Sequence, residues 1–129
     1  MYQELLPLRE QYQLEVEREF TRPWIRIVEV HPSQTLSNLQ AELDPGEAAA
    51  IALAMELRPK YLIIDERDGT RVAKSHQLNT IGLLGILLLA KAQQQISAVH
   101  PYLDRLMQEA DFFISSRVYR RVLELAEEI

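Results

Sequence analysis

The sequence contains no cysteine, only four glycines, and no apolar run long enough to cross a membrane. The absence of cysteine excludes disulfides and thiolate metal ligands. The longest apolar stretch, from Ile81 to Ala90, has about half of the roughly 20 residues that a membrane-spanning helix needs. The net charge is −5, so no global positive field attracts nucleic acid or anionic lipid. Any contact with nucleic acid must therefore be local, through a few basic side chains or a bridging metal ion.

Several common catalytic patterns are also missing. There is no Gly-x-Ser-x-Gly nucleophile motif and no glycine-rich phosphate loop, and the histidines at positions 31, 76 and 100 lack the spacing of metal ligands. The opening MYQELLPLREQ is polar within its first few residues and does not resemble a secretion signal. We therefore expect a single cytoplasmic domain over residues 1–129, with acidic side chains as its candidate chemistry.

Hydrophobic periodicity predicts helices that alternate with short apolar strands. The predicted helices are Tyr2–Phe20, Thr35–Leu43, Asp44–Leu57, Thr70–His76, Gly82–Gln93, Val99–Ala110 and a last one from Ser116, and the predicted strands are Trp24–Val30, Tyr61–Asp65 and Asn79–Ile81. The helix over Gly82–Gln93 is apolar on nearly every side, which predicts a central, buried helix. This alternation is typical of an α/β fold with a parallel sheet, in which function collects at the carboxyl ends of the strands.

Two carboxylates in the stretch from Asp44 to Arg71 are the main candidates for function. Glu47 lies three residues after Asp44, in a capping-box arrangement that by itself explains an acidic residue there. Asp65 closes an apolar strand, with Glu66 and Asp68 beside it, and such oxygen ligands suit Mg²⁺ or Mn²⁺. The alternative for Asp65 is an exposed residue that caps the following helix.

Basic residues follow on the next predicted helix. Arg71 and Lys74 come shortly after Asp65, where a positive charge can neutralise a phosphate. The alternative is that they only keep the surface soluble, and this alternative is the stronger one for Lys74.

Four blocks of the sequence together resemble PIN-like proteins, specifically a bacterial and archaeal subgroup related to VapC-type toxins. The blocks are DPGEAAAIALAMEL, YLIIDERDGTRVA, TIGLLGILLLAKA and FFISSRVYRRVLELAEE, and Tyr2 to Leu5 also matches a short acidic helix that precedes them in the family. The resemblance implies a three-layer fold in which helices flank a small parallel sheet. It also implies a metal-dependent ribonuclease, in which carboxylates hold one or two Mg²⁺ or Mn²⁺ ions that activate water against a phosphodiester.

The resemblance assigns roles residue by residue. Glu4, Glu47 and Asp65 match the family's metal-binding and catalytic acids. Arg71 matches a basic residue often found after the turn that follows Asp65, and we expect it to contact the RNA phosphate. The family pattern begins with a strand that ends in an aspartate, before the segment that matches Tyr2. We therefore expect this sequence to lack that central strand and its metal ligand, which leaves strand edges and apolar faces exposed.

Two further functions remain to be compared with the nuclease. The first is a truncated, non-catalytic PIN remnant that binds an antitoxin-like protein or a second copy of itself through the exposed sheet edge. The second is a receiver-like phosphoacceptor, but it requires an acidic pair after the first strand and a lysine after a late one, and the sequence offers neither.

Overall fold

The computed structural model describes residues 17–18 and 20–129, which divide into one compact unit that ends at His31 and another from Pro32 to Ile129. The second unit contains helices and one small parallel sheet. In chain order the elements are α1 (Gln34–Gln40), α2 (Pro45–Leu57), β1 (Leu62–Ile63), α3 (Arg67–Ser75), β2 (Thr80–Ile81), α4 (Leu83–Ala92), α5 (His100–Glu109) and α6 (Ser116–Leu125). The expected α/β architecture with a small parallel sheet is confirmed, while the single domain over residues 1–129 stays a prediction.

The sheet consists of two short strands joined by a helical crossover. Leu62 pairs with Thr80 and Ile63 with Ile81 in parallel register. The amide of Ile64 extends this pairing by donating to the carbonyl of Ile81 at 3.1 Å. The carboxyl ends of both strands therefore lie at the same edge of the sheet.

Helix α2 begins and ends as its sequence predicts. The carboxylate of Asp44 accepts a hydrogen bond from the Glu47 amide at 2.9 Å, and Pro45 occupies the first helical position. At the other end Arg58 adopts a left-handed conformation with φ of 51°, and Pro59 follows. These caps satisfy backbone groups that the helix itself leaves unpaired. They fix Glu47 in the first turn.

Two hydrophobic clusters stabilise the second unit. The first joins α1, α2, α3 and the end of β1, and its buried members are Leu39, Leu43, Ala48, Ile51, Ala54, Ile64, Val72, Ala73 and Leu78. The second joins α5, the loop before α6, and α6, and its buried members are Val99, Leu103, Ile114, Val122 and Ala126. Helix α4 contributes only half-buried leucines to the second cluster, at positions 84, 87 and 88.

The prediction that the apolar helix over Gly82–Gln93 is buried is wrong. No residue of α4 is buried, and all but one are half-buried. An apolar groove of about 620 Å³ runs along this helix. The residues that line it are Tyr61, Ile81, Gly85, Leu88, Leu89, Lys91, Ala92, Leu125, Ala126 and Glu127. Helix α4 therefore packs on one side and leaves another side open.

Glu128 connects the end of the chain to α4 and α5. Its carboxylate accepts hydrogen bonds from the amides of Val99 at 2.7 Å and His100 at 3.1 Å, and pairs with Lys91 at 3.1 Å. Burial acts to raise the pKa of Glu128, but hydrogen bonds from Val99, His100 and Lys91 outweigh it and lower the pKa to about 2. Lys91 also donates to the carbonyl of Ala126. No local sequence pattern predicts this network, because Glu128 is 37 positions from Lys91 and 28 from His100.

Two other sequence predictions concern the first unit. The strand predicted over Trp24–Val30 is wrong, because this segment forms no strand and leaves Trp24 78% exposed. The helix predicted over Tyr2–Phe20 lies largely outside the described residues. In the described part of the chain, no helix is both long enough and apolar enough to cross a membrane.

Candidate functional site

Asp65 lies at the carboxyl edge of the sheet and contacts the start of α4. It follows β1 by two residues, and α4 begins two residues after β2. The amide of Leu83 donates to both carboxylate oxygens of Asp65, at 3.1 and 3.2 Å. The positive end of the α4 dipole therefore faces the Asp65 carboxylate and stabilises its negative charge. The residue as a whole remains exposed, so the carboxylate is open to a ligand from solvent.

Glu47 lies in the first turn of α2 and turns its carboxylate inward. The side chain is half-buried, and its Oε2 atom is fully buried, with no hydrogen-bond partner among the described residues. A buried carboxylate oxygen without a partner is costly unless a proton or a cation satisfies it. The hydrogen bond with the side chain of Asp44, burial, and the negative charge of Asp44 all raise the pKa of Glu47. The pKa of Asp44 is lowered, chiefly by the hydrogen bond from the Glu47 amide.

Ile64 and Asp65 point to different neighbours at the end of β1. If Gly69 in α3 carried a β-carbon, that atom would lie 2.7 Å from both Glu47 Oε2 and Ile64 Cδ1. The side chains of Glu47 and Ile64 therefore both pack against Gly69. The next residue, Asp65, contacts the β2–α4 junction instead. The negative charge of Glu66 adds to the factors that raise the pKa of Glu47. Glu47 and Asp65 therefore both lie near the end of β1, Glu47 against α3 and Asp65 against the start of α4.

The other two predicted site residues have different outcomes. Glu4 lies outside the described residues. Arg71 is exposed on α3, two residues after Gly69, and it forms no ion pair with any residue that the structure describes. Its guanidinium is therefore free to meet a phosphate. The roles assigned to Glu4, Glu47, Asp65 and Arg71 stay predictions.

The donor chemistry fits a hard divalent cation, but the described residues supply only part of a site. Carboxylate oxygens are the preferred protein ligands of Mg²⁺ and Mn²⁺. Among the described residues, no group of three or more acidic, histidine or cysteine side chains has the geometry to hold a metal ion. The buried, unpartnered oxygen of Glu47 is the observation that favours a cation. Glu47 and Asp65 would hold it together with a further ligand, and the resemblance assigns that place to Glu4.

Two glycines at the site were not recognised as functional from sequence. Gly69 adjoins the Glu47 carboxylate, and Gly82 adjoins the Asp65 carboxylate. For Gly69 the sequence does carry a signal, because glycine within a helix lowers the stability of the helix and usually has a packing reason. Gly82 carries no such signal, because glycine is an accepted residue at the start of a helix.

Comparison with known proteins identifies one family. A family model described as PIN domain matches residues 1–128, which is nearly the whole chain. No curated protein and no solved structure matches the chain.

Proposed function

The chain belongs to the PIN domain family, and on that premise we propose that it is a metal-dependent ribonuclease of the VapC-toxin type, which hydrolyses phosphodiester bonds of RNA in the cytoplasm. The observation that carries the proposal is the Oε2 atom of Glu47, which is buried near the carboxyl edge of the sheet and has no hydrogen-bond partner among the described residues. A nuclease of this family uses such carboxylates to hold Mg²⁺ or Mn²⁺.

Each residue has a distinct part in this proposal. Bound Mg²⁺ or Mn²⁺ supplies an activated water and offsets the negative charge of the phosphate during in-line displacement. Asp65 presents a carboxylate whose ionised form the α4 N-terminus stabilises. Glu47 presents a second carboxylate from α2, and Glu4 is the third proposed metal ligand. Arg71 binds and orients the phosphate through its exposed guanidinium.

The raised pKa of Glu47 gives the proposed site a direction of pH dependence. A glutamate whose pKa is raised keeps its proton to higher pH than an ordinary glutamate. A cation must displace that proton in order to bind. Metal affinity therefore increases as the pH rises through the pKa of Glu47.

The proposal is tested by cleavage of single-stranded RNA in the presence of Mn²⁺. The wild-type protein should cleave the RNA, EDTA should stop cleavage, and Asp65→Asn should lower the rate by roughly a hundredfold or more, since it removes a metal-binding charge. Asp111→Asn is the matched control, because Asp111 is an exposed aspartate between α5 and α6, outside the proposed site. Equal rates for wild type and Asp65→Asn would contradict the proposed site.

The alternative is a non-catalytic interaction protein, and the open side of α4 favours it. Ile81 of β2 lines the apolar groove along α4, and Ile63, which pairs with it on β1, is 65% exposed. In this alternative the groove and the sheet edge bind an antitoxin-like protein or a second copy of the chain. Analytical ultracentrifugation of the wild type and of Ile63→Lys tests whether the chain self-associates through this surface. A homo-oligomer that Ile63→Lys dissociates supports it, and a concentration-independent monomer contradicts it.

A further inference from the structure

Gly82 is a glycine for which the backbone gives no reason. It is the N-cap of α4 with φ of −91°, a conformation that every residue type adopts. Glycine is accepted at an N-cap, but serine, threonine, aspartate and asparagine also accept a hydrogen bond from the first turn through their side chains. Here the carboxylate of Asp65 accepts that bond from Leu83. The capping group of α4 therefore comes from the end of β1 and not from position 82.

The space beside Gly82 is taken by the same carboxylate. A β-carbon at position 82 would lie 2.5 Å from Asp65 Oδ1, which is closer than any real contact of this kind. The next nearest atom, Asp65 Cγ, belongs to the same side chain at 3.5 Å. Any side chain at position 82 would consequently push the Asp65 carboxylate away from α4.

Gly69 has the same relation to Glu47. It is the third residue of α3, where alanine is a better helix former than glycine. A β-carbon there would lie 2.7 Å from Glu47 Oε2 and 2.7 Å from Ile64 Cδ1. The buried oxygen of Glu47 thus occupies the volume that a side chain on α3 would fill.

The other two glycines of the chain serve as comparisons. A β-carbon at Gly46 would make an ordinary contact of 3.5 Å with Asp44 Oδ1, and one at Gly85 would meet the apolar side chain of Ile81 at 2.9 Å. Only the two glycines beside the candidate site are in steric conflict with a carboxylate. Both conflicts involve a proposed metal ligand.

We propose that Gly69 and Gly82 are positioning residues that shape the candidate site: Gly82 lets Asp65 lie at the start of α4, and Gly69 lets Glu47 turn inward. Their effect on catalysis rests on the proposed function, but their effect on the two carboxylates does not. Replacing either glycine by alanine displaces one carboxylate while the rest of the fold is kept.

The effect on Asp65 is measurable without metal or substrate. Leu83 is the first residue of α4, so its amide has no partner within the helix and its protection from hydrogen exchange depends on Asp65. We expect Gly82→Ala to accelerate exchange of the Leu83 amide to the level seen in Asp65→Ala. Gly46→Ala is the matched control and should leave the exchange of Leu83 unchanged. Equal protection of Leu83 in wild type and Gly82→Ala would overturn the proposal.

Double variants keep the test decisive if a single variant fails to fold. Gly82→Ala should lower the melting temperature more in the wild-type background than in the Asp65→Ala background, where only the general cost of alanine at an N-cap remains. For Gly69, the comparison starts from Ile64→Val, which removes the Cδ1 atom and leaves only the conflict with Glu47. In that background Gly69→Ala should lower the melting temperature, and the loss should disappear when Glu47→Ala is added. Equal losses in both backgrounds at either position would overturn the assignment of that glycine.

Calorimetric titration with Mn²⁺ connects the glycines to the proposed function. We expect Gly69→Ala and Gly82→Ala each to weaken Mn²⁺ binding by roughly tenfold or more, because losing a group that orients a metal ligand has an effect of that size. The control Gly46→Ala should bind Mn²⁺ like the wild type. If the wild type binds no Mn²⁺, the proposed function fails, while the exchange of Leu83 still decides the role of Gly82 and the melting temperatures still decide that of Gly69. If the wild type binds Mn²⁺ and both glycine variants bind it equally well, their role in metal binding is excluded.

Discussion

Helices α2 and α4 are both predominantly apolar, yet α2 buries three side chains and α4 buries none. Helix α2 is enclosed by α1, α3 and the end of β1, so Ala48 and Ile51 are 0% exposed. Helix α4 packs its leucines toward the second hydrophobic cluster and leaves a groove on another side. Apolar composition therefore produces a helix in both cases, but burial depends on what the rest of the chain places around it.

Charged side chains hold α4 at both of its ends. The Asp65 carboxylate accepts a hydrogen bond from the first amide of α4, and Lys91 in the last turn pairs with Glu128. Each charge has the sign that the helix dipole favours at that end. The contact that fixes the start of α4 is also the contact that places a candidate metal ligand. Both helices therefore contribute to the candidate site: α2 carries Glu47, and the first amide of α4 holds the carboxylate of Asp65.

The largest expected effect comes from opening a cavity in the enclosed helix. Ile51→Ala removes a fully buried side chain of α2 and should lower the free energy of unfolding by about 3–4 kcal/mol. Leu89→Ala removes a half-buried side chain that faces the groove and should cost about 1 kcal/mol or less. Urea denaturation of both variants measures the difference. Equal losses would mean that α4 is as enclosed as α2.

The second effect concerns the charges that secure α4. Glu128→Gln weakens hydrogen bonds to a charged group and should lower the free energy of unfolding by roughly 1–3 kcal/mol at neutral pH. The pKa of Glu128 is about 2 in the folded chain, against an ordinary value of 4.5. The stabilisation is therefore complete above about pH 4.5 and is lost as the pH falls toward 2.

The pH dependence of Glu128 is checked by urea denaturation from pH 7 down to pH 2. The difference between wild type and Glu128→Gln should shrink below pH 4.5. Glu127→Gln is the matched control, since Glu127 is exposed and has no part in the network. A difference that stays constant over this range would show that Glu128 does not stabilise the fold through its charge.

The smallest effect is expected at Ile63, and its neighbour Ile64 on the same strand provides the comparison. Ile63 is 65% exposed and Ile64 is 8% exposed. Ile63→Thr keeps a β-branched side chain on the open side and should change the free energy of unfolding by about 0.5 kcal/mol or less. Ile64→Thr places a hydroxyl in the first hydrophobic cluster and should cost about 1–3 kcal/mol. Thermal unfolding of the two variants tests this order.

The sequence predicted local structure well where the signals are themselves local. The capping box of Asp44 and Glu47 sets the start of α2, and the short apolar strands flank a helix as expected. The strand predicted over Trp24–Val30 did not form, since β-branched residues become a strand only when a sheet edge pairs with them. The burial of α4 was also predicted incorrectly, because burial depends on the surrounding elements and not on the helix itself.

The candidate site was predictable in its acids but not in its shape. Asp65 stands out as an acid that closes an apolar strand, and Glu47 as an acid in a first turn. Neither pattern reveals that Asp65 contacts Leu83, or that an oxygen of Glu47 is buried against Gly69. Those contacts join residues that are 18 or more positions apart, and no local signal encodes them.

Glu47 and Asp65 are proposed to bind a divalent cation together, and calorimetric titration of the wild-type protein with Mn²⁺ at pH 7 measures that binding. We expect saturable binding that Glu47→Gln and Asp65→Asn each abolish. Glu56→Gln, which changes an exposed glutamate on the same helix as Glu47, should bind like wild type. The absence of binding to the wild type, or the same affinity in Asp65→Asn, would contradict the claim.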